Sequence, residues 1–207
     1  MDIKDLPQIR PIAPMKRPKP FDDRDWLFEL KYDGFRAVAY FEKGRCRLIS
    51  RQGKRLRFPK LEQKLAEHFK SLGIRSAILD GEACSLNAEG RPIFKDLIKL
   101  KEPIAYVAFD LMWIDGKDLR DLPLRERKKL LRRVVRKRAR DYAHIREAFS
   151  VRGKGCKLFA LTLKHDLEGM VAKRLDGTYS RRTRWYKTRN PQYTQDATRP
   201  RMERHSR

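Results

Sequence analysis

Residues Trp26–Ser50 read WLFELKYDGFRAVAYFEKGRCRLIS and contain the strongest strand pattern of the chain. Residues that favour β-strands alternate along it with polar residues. Two pairs that suit tight turns, Asp33-Gly34 and Lys43-Gly44, interrupt the alternation. The stretch therefore predicts strands joined by short turns, and the first turn falls directly beside Lys31.

Strand patterns recur further along the chain. The segment Ser76–Leu86 (SAILDGEACSL) predicts a buried strand pair or a hairpin around Asp80-Gly81. The segment Ile104–Trp113 (IAYVAFDLMW) predicts another strand, which ends at the turn Asp115-Gly116. Two later segments, GMVAKRL from residue 169 and RWYKTR from residue 184, have the same strand-forming character.

Helical patterns lie between these strands. Apolar residues recur at near-helical spacing from Phe58 to Leu72, with Pro59 in the first turn and Gly73 just past the end. The segment Leu124–Arg140 predicts a strongly basic helix, whose Arg and Lys face is interpreted as a solvated surface or, alternatively, as a phosphate-contacting one. Its apolar stripe comprises Leu130, Leu131, Val134 and Val135. A further short helix fits residues 155–164.

Composition limits the possible classes of protein. A length of 207 residues suits one substantial domain with tails, and 40% apolar residues suffice for a buried core. The mean hydropathy of −0.76, and the lack of a long apolar run or an apolar signal segment, exclude a protein that resides within a bilayer and make the cytoplasm the default location. The cysteines at 46, 84 and 156 lie too far apart to indicate a zinc site or a disulfide framework.

The charge balance points to a polyanionic partner. The chain has 51 Lys and Arg against 27 Asp and Glu, a net charge of +24. Such a field attracts nucleic acid and raises the rate of encounter with it. An acidic membrane surface is the weaker alternative.

The segment Glu29-Leu-Lys31-Tyr-Asp33-Gly34-Phe-Arg36 is the central candidate for chemistry. It places a lysine at a strand end, where the side chain is held rigidly among charged groups. A lysine is nucleophilic only as the free amine, and nearby cations or partial burial favour that form. The alternative reading is a surface hairpin with a solvated lysine.

Other motifs follow in an order that a surface hairpin does not explain. The motif Ser50-Arg51-Gln-Gly53 places an arginine at a strand end, and Leu79-Asp80-Gly81-Glu82 places carboxylates where they could bind a ribose hydroxyl or Mg²⁺. Phe109 could stack on a base, although an aromatic residue in a strand is more often part of the core. Glu168, Lys173, Lys187 and Arg189 add a carboxylate and cations that would suit a metal-bound triphosphate.

The order KYDGFR, SRQG, LDGEA, YVAFDLMW, EGMVAK, WYKTR resembles the motifs of the covalent nucleotidyltransferases, over residues 24–190. ATP-dependent DNA ligases, some RNA ligases and mRNA capping guanylyltransferases share this motif set. The stretch FDLMWIDGKDLRDLPLRERKKLL is similar to the bacterial ATP-dependent DNA ligases, especially those of end-joining repair. The resemblance implies an α+β fold, an ATP-grasp-like nucleotidyltransferase domain with antiparallel sheets flanked by helices.

The resemblance also implies a role for each motif residue. Lys31 would be the nucleophile that becomes linked to AMP, Asp33 and Arg36 would act near the nick and the phosphates, and Lys173 and Lys187 would bind the α-phosphate. The nucleotide would be held by Glu29 on the adenine side, Phe109 stacked on adenine, and Arg51 and Glu82 at the ribose or phosphates. Glu168, with Glu82, would hold Mg²⁺ or Mn²⁺. Arg189 stands where lysine is usual, which keeps the charge and changes its geometry.

The domain organisation that we expect is an extended arm over residues 1–23, an adenylation domain over 24–190 and a disordered, basic tail over 191–207. A complete ligase of this type continues into an OB-fold domain, and the residues after 190 are too few to form one. The chain is therefore expected to be a stand-alone domain, a shortened product or a piece of a longer protein. A separate OB-fold or repair protein could then be a partner.

The implied activity is that of a DNA ligase that seals nicks or breaks in double-stranded DNA, acting as a monomer in the bacterial cytoplasm at the nucleoid. Two alternatives stay open. An RNA ligase or a capping enzyme would use the same chemistry on another substrate. A catalytically weak nucleic-acid-binding module would keep the fold and turn over little.

Overall fold

Two β-sheets and four helices make up the computed structural model, which describes residues 6–136 and 144–195. The first sheet contains β1 (Met15–Lys16), β2 (Trp26–Leu30), β10 (Ser150–Arg152), β11 (Gly169–Arg174) and β12 (Tyr186–Arg189), in the order β1-β12-β11-β2-β10. We call it sheet A.

The second sheet, sheet B, is built mostly from the middle of the chain. It contains β3 (Phe35–Glu42), β4 (Arg45–Ser50), β5 (Arg55–Leu56), β6 (Ser76–Ser85), β7 (Ile104–Ile114), β8 (Lys117–Asp118) and β9 (Ile145–Glu147). Its order is β5-β4-β3-β6-β7-β8, with β9 paired to β7. The helices are α1 (Pro59–Ser71), α2 (Phe94–Ile98), α3 (Leu124–Arg136) and α4 (Gly155–Lys164).

The predicted fold class, antiparallel sheets flanked by helices, is confirmed. The turns at Asp33-Gly34 and Lys43-Gly44 separate β2, β3 and β4 as the sequence predicts. Two short parallel pairs, β1 with β12 and β7 with β9, add strands that the sequence did not predict. All strands in the described ranges belong to sheets A and B, so an OB-fold is not among them.

Separate apolar clusters lie on the faces of the sheets. The largest packs α1 and α3 against sheet B and includes Leu65, Phe69 and Leu131. A second joins sheet B to sheet A through Tyr40, Met112 and Trp185, and the N-terminal residues Leu6 and Ile12 are buried in it. A third packs α4 against β2 and β11. None of the helices in the described ranges has the length and apolar character that a bilayer crossing requires.

Strand β6 corrects the prediction of a strand pair or hairpin around Asp80-Gly81. It is one strand with register irregularities, and it lies between β3 and β7. Gly81 is needed there for space, because a Cβ atom on it would lie 2.5 Å from Cζ of Tyr106. The Tyr106 hydroxyl donates to the carbonyl oxygens of Ala37 and Leu79 at 2.9 and 3.0 Å, so its ring cannot move away freely.

Helix α3 corrects the interpretation of its cations as wholly solvated. Arg127 and Lys128 are fully buried, while Leu131, Val134 and Val135 are buried as the stripe predicts. Residues 137–140, the predicted end of this helix, lie outside the described residues.

Residues after β12 correct the prediction of a disordered tail as far as residue 195. Tyr193 is buried, and Thr194 and Gln195 form hydrogen bonds with Asp166 and with Pro92 and Phe94. The predicted disorder of residues 196–207 lies outside the described residues. The boundaries of arm, domain and tail stay predictions.

Replacing Gly81 with alanine should destabilise the protein by at least about 3 kcal/mol, because the new Cβ would overlap Tyr106 and the carbonyl of Val107. Gly73→Ala is the control, since Gly73 has a φ of +70° but nothing within 4 Å of a Cβ, and it should cost only about 1 kcal/mol. Urea unfolding measures both. Equal losses would contradict the packing of Gly81 against Tyr106.

Candidate active site

Lys31 follows the last residue of β2 and is anchored by the neighbouring strand. Its backbone N–H donates to the carbonyl of Gly169 at 2.9 Å, and its Nζ lies 2.6 Å from Oε2 of Glu168. Gly169 has a φ of +141°, and a Cβ on it would overlap the backbone of Thr188 on β12. A glycine is thus required at position 169, where β11 begins directly after Glu168 and lies against β12.

Glu168 is the centre of a cationic group. Its side chain is 1% exposed and pairs with Lys31 and with Nη2 of Arg189, the latter at 3.1 Å. The Lys31 side chain remains 22% exposed, so it can be reached from outside. A cleft of about 520 Å³ opens beside it, lined in part by Tyr32, Arg91 and Lys164.

Lys187 adds a further cation to this group. Burial lowers its pKa, and the positive charges of Lys31, Arg189 and Arg51 lower it further. The alternation of β12 therefore brings Lys187 and Arg189 to the same region as Lys31, as the sequence predicts. Arg51, in the exposed turn after β4, is close enough to act on the pKa of Lys187.

Glu82 on β6 faces the same group. Burial raises the pKa of Glu82 to about 8. The positive charges of Lys31 and Arg36 oppose this shift, and the carboxylates of Glu168 and Asp33 add to it. Repulsion between these carboxylates means that an additional cation would stabilise their ionised forms. No cluster of three or more potential metal ligands occurs among the described residues. The oxygen ligands of Glu82 and Glu168 suit Mg²⁺, which often takes one or two carboxylates together with substrate phosphates.

A second charged group lies buried beneath the first. Lys173 Nζ is 2.5 Å from Oε2 of Glu29, and Lys128 Nζ is 2.9 Å from Oε1 of Glu29 and 3.2 Å from Glu147. Burial would raise the pKa of Glu29, but its two lysine partners outweigh this and lower it. Burial lowers the pKa of Lys173 in spite of Glu29. Glu29 therefore supports the interior here, and its predicted contact with adenine stays a prediction.

Two aromatic rings enclose the amine of Lys173. Its Nζ lies 4.4 Å from the ring centroid of Phe109 and 4.0 Å from that of Trp185. The two rings meet nearly edge to face, with centroids 6.1 Å apart. Phe109 is only partly buried, which leaves part of its surface available for a base. Lys173 is fully buried below these rings, so its predicted contact with the α-phosphate stays a prediction.

Arg36 is half-buried and lies near Phe109, with its Cζ 5.2 Å from the ring centroid. It pairs with Asp80 through Nε and Nη2 at 3.0 and 2.6 Å and donates from Nη1 to the carbonyl of Ile12 at 2.7 Å. The Tyr179 hydroxyl donates to the same Asp80 at 2.6 Å. This arrangement fixes the N-terminal arm to sheet B, and the predicted role of Arg36 at a nick stays a prediction.

Asp33 lies in the turn after Lys31 and is almost fully buried. Its Oδ2 accepts a hydrogen bond from the Tyr193 hydroxyl at 2.9 Å. The predicted residues therefore fall into two adjoining groups. The group around the amine comprises Lys31, Asp33, Glu82, Glu168, Lys187, Arg189 and Arg51. The group next to it comprises Glu29, Lys173, Phe109 and Arg36.

Several residues of the site were missed by the sequence analysis. Arg127 lies three residues after Leu124 and four before Leu131, and Lys128 lies four after Leu124 and three before Leu131. Helical spacing therefore places both on the buried stripe. That signal was present but outweighed by their charge. Trp185 and Tyr193 had no such signal, because their importance depends on contacts between distant segments.

Lys128→Met should destabilise the protein by roughly 3 kcal/mol, because it removes one partner from buried carboxylates. Lys129→Met is the matched control: Lys129 is adjacent on α3 and 61% exposed, and its loss should stay within about 0.5 kcal/mol. Urea unfolding of the two variants compares them directly. Equal stabilities would show that Lys128 does not hold Glu29 and Glu147.

Comparison with known proteins bears on this arrangement. The multifunctional non-homologous end joining protein LigD of Pseudomonas aeruginosa is 38% identical over 172 residues, which covers 79% of this chain and 20% of that protein. The SPbeta prophage-derived DNA ligase-like protein LigB of Bacillus subtilis is 28% identical over 189 residues, covering 86% of this chain and 66% of that protein. The chain thus spans about a fifth of the length of the LigD relatives.

A solved structure shares the fold. The ligase domain of Mycobacterium tuberculosis LigD superimposes with a TM-score of 0.74 at 28% identity, covering 91% of this chain and 61% of that one. The ATP dependent DNA ligase domain family matches residues 13–189, which include every residue of the site described above except Ile12 and Tyr193. By fold, by motifs and by this match, the chain belongs to the ATP-dependent DNA ligase domain family.

Proposed function

We propose that this chain is the adenylation domain of a DNA ligase and that Lys31 is its nucleophile. The observation that carries the proposal is the position of Lys31 at the end of β2, with Nζ 2.6 Å from Glu168 and the cations Lys187 and Arg189 beside it. Such a group suits a triphosphate whose α-phosphorus is to be attacked by an amine.

The proposed first step forms a bond between Nζ of Lys31 and the α-phosphorus of ATP and breaks the bond from that phosphorus to pyrophosphate. Lys31 has to lose a proton, which passes to solvent, before it attacks. The Lys31 amine is paired with Glu168, with Nζ 2.6 Å from Oε2. Glu168 therefore has to release Lys31 before the attack, and Lys187 and Arg189 then stabilise the negative charge at the reacting phosphate.

Glu82 and Glu168 are the residues that would hold Mg²⁺ or Mn²⁺. The bound ion would neutralise part of the charge on the triphosphate and polarise its α-phosphate. Burial, and to a smaller degree repulsion from Glu168 and Asp33, raises the pKa of Glu82, and a cation shared with Glu168 would stabilise the ionised form of both carboxylates.

The base and ribose of the nucleotide would be bound between sheets A and B. The partly buried ring of Phe109 would stack on adenine, and Glu29, two residues before Lys31, would lie on the adenine side. Arg51 and Glu82 would hold the ribose or the phosphates. ATP is therefore the nucleotide that we assign.

AMP would then pass from Lys31 to a 5′-phosphate at a break in double-stranded DNA, and a 3′-hydroxyl would displace it to seal the strand. The net charge of +24 supports a nucleic-acid substrate, bound mainly through its phosphates and therefore sensitive to salt. Asp33 and Arg36 are proposed to act at this stage. Similarity to the LigD proteins, which are named for non-homologous end joining, supports repair of breaks by end joining. Action as a monomer in the bacterial cytoplasm is part of the same proposal.

Lys31→Ala should abolish attachment of AMP, because it removes the nucleophile and little packing. Lys31→Arg should be equally inactive, since a guanidinium stays protonated at any usable pH. Gel detection of radioactivity from ATP labelled at the α-phosphate measures both. Labelling of Lys31→Ala at the wild-type level would rule out Lys31, and labelling from GTP in place of ATP would favour a capping enzyme.

Glu168→Ala and Lys187→Ala should each slow metal-dependent attachment of AMP by at least about tenfold, because each removes a charge directed at the reacting phosphate or its metal. Lys157→Ala, an exposed position on α4, serves as control and should leave the rate unchanged. Single-turnover rates at saturating ATP give the comparison. Wild-type rates in both test variants would contradict the assignment of the last two motifs.

A further inference from the structure

We propose that residues 190–195, here called the strap, position the turn that carries Lys31, and that Tyr193 is the positioning residue that acts through Asp33. The inference rests on the proposed function of Lys31. It assigns a role to residues beyond the segment 13–189 that matches the ligase family.

The start of the strap is fixed to sheet A and α4. The Asn190 backbone N–H donates to the carbonyl of Glu168 at 3.0 Å. Its side-chain Nδ2 donates to the carbonyls of Thr162 and Leu167 at 3.3 and 3.1 Å. Because Asn190 is itself buried, these bonds hold it against the segment that leads into Glu168.

The far end of the strap is fixed beside sheet B. The Gln195 side chain accepts from the backbone N–H of Phe94 and donates to the carbonyl of Pro92, both at 3.0 Å. Thr194 donates to Asp166 from its backbone and from its hydroxyl, at 2.9 and 2.7 Å. Asp166, like Glu168, lies in the segment between α4 and β11, so Gln195 is the residue that ties the strap to the segment between β6 and α2.

Tyr193 lies between these two attachments and contacts the nucleophile turn, residues 31–34. Its side chain is 7% exposed, and its hydroxyl donates to Oδ2 of Asp33 at 2.9 Å. From the opposite direction the turn is held by β6, because a Cβ on Gly34 would overlap the carbonyl of Ala83 and Sγ of Cys84. The turn is thus fixed on both sides.

A buried carboxylate that loses a donor shifts toward other donors, because an unmet hydrogen bond in the interior is costly. Asp33 is only two residues from Lys31, so such a shift would move the amine relative to Glu168 and to the α-phosphate. Small displacements of a reacting group reduce rates strongly while binding changes less. The strap should therefore influence the rate of AMP attachment at saturating ATP more than the apparent affinity for ATP.

Tyr193→Phe removes only the hydroxyl and keeps the ring. Tyr40→Phe is the matched control, because Tyr40 is also 7% exposed. Its hydroxyl forms a partly buried hydrogen bond in another cluster, where it accepts from the backbone N–H of Ile9 at 2.8 Å. The two substitutions make the same chemical change at the same degree of burial. A purely structural role of Tyr193 would make their effects on the reaction alike.

The test measures single-turnover attachment of AMP over a range of ATP concentrations in the full chain. We expect Tyr193→Phe to lower the maximal rate about tenfold and to change the half-saturating ATP concentration less than twofold, while Tyr40→Phe changes neither. In an Asp33→Ala background, Tyr193→Phe should have no further effect, since its action passes through Asp33. Rates of Tyr193→Phe within twofold of wild type, or an undiminished effect in that background, would overturn the proposal.

Amide hydrogen exchange separates this inference from the proposed function. Backbone amides of residues 31–34 should exchange about tenfold faster in Tyr193→Phe than in Tyr40→Phe, whether or not the protein reacts with ATP. If wild type forms no AMP adduct, the proposed function fails and the exchange experiment still decides the role of Tyr193. Equal exchange in the two variants would overturn the strap.

Discussion

The ion pair between Lys31 and Glu168 is the interaction on which the site depends. It joins the end of β2 to the start of β11, two antiparallel neighbours, and places a nearly buried carboxylate against an accessible amine. The arrangement requires Gly169, whose backbone conformation and closeness to β12 exclude a side chain. Around this pair, Arg189 and Lys187 add positive charge, and Arg189 pairs with the same Glu168. The pair therefore fixes the position of the Lys31 amine next to Glu168 and the neighbouring cations.

The interior beneath the site is unusually ionic. Glu29 is held by Lys173 and Lys128, and Asp110 by a fully buried Arg127 on the same helix, α3. Consecutive cations of α3 therefore reach both sheets, since Glu29 lies on β2 and Asp110 on β7. A buried ion pair contributes little net stability compared with apolar packing, but removal of one partner is strongly destabilising. We interpret this network as fixing the distance between the walls of the nucleotide pocket.

Much of this structure could be predicted from the sequence where it depends on local pattern. The alternation and the turn at Asp33-Gly34 placed Lys31 at a strand end, and the alternation of residues 185–189 placed Lys187 and Arg189 together. Gly81 was misread as a turn because a glycine after an aspartate has the same local signature as one that makes room for a distant ring such as Tyr106. The ordered structure of residues 191–195 was not predicted, because the segment is polar and its partners are distant in sequence. Tyr193 binds Asp33, 160 residues earlier, and Thr194 binds Asp166, 28 residues earlier. Helical spacing indicated that Arg127 and Lys128 are buried. It could not identify their acidic partners, because these lie on other elements.

Covalent attachment of AMP to Lys31 is tested most directly by mass spectrometry of the wild-type chain after incubation with ATP and Mg²⁺. We expect an intact mass increased by one AMP, and peptide sequencing should place the adduct on Lys31 within the segment from Glu29 to Arg36. No adduct, or an adduct on another lysine such as Lys173 or Lys187, would contradict it.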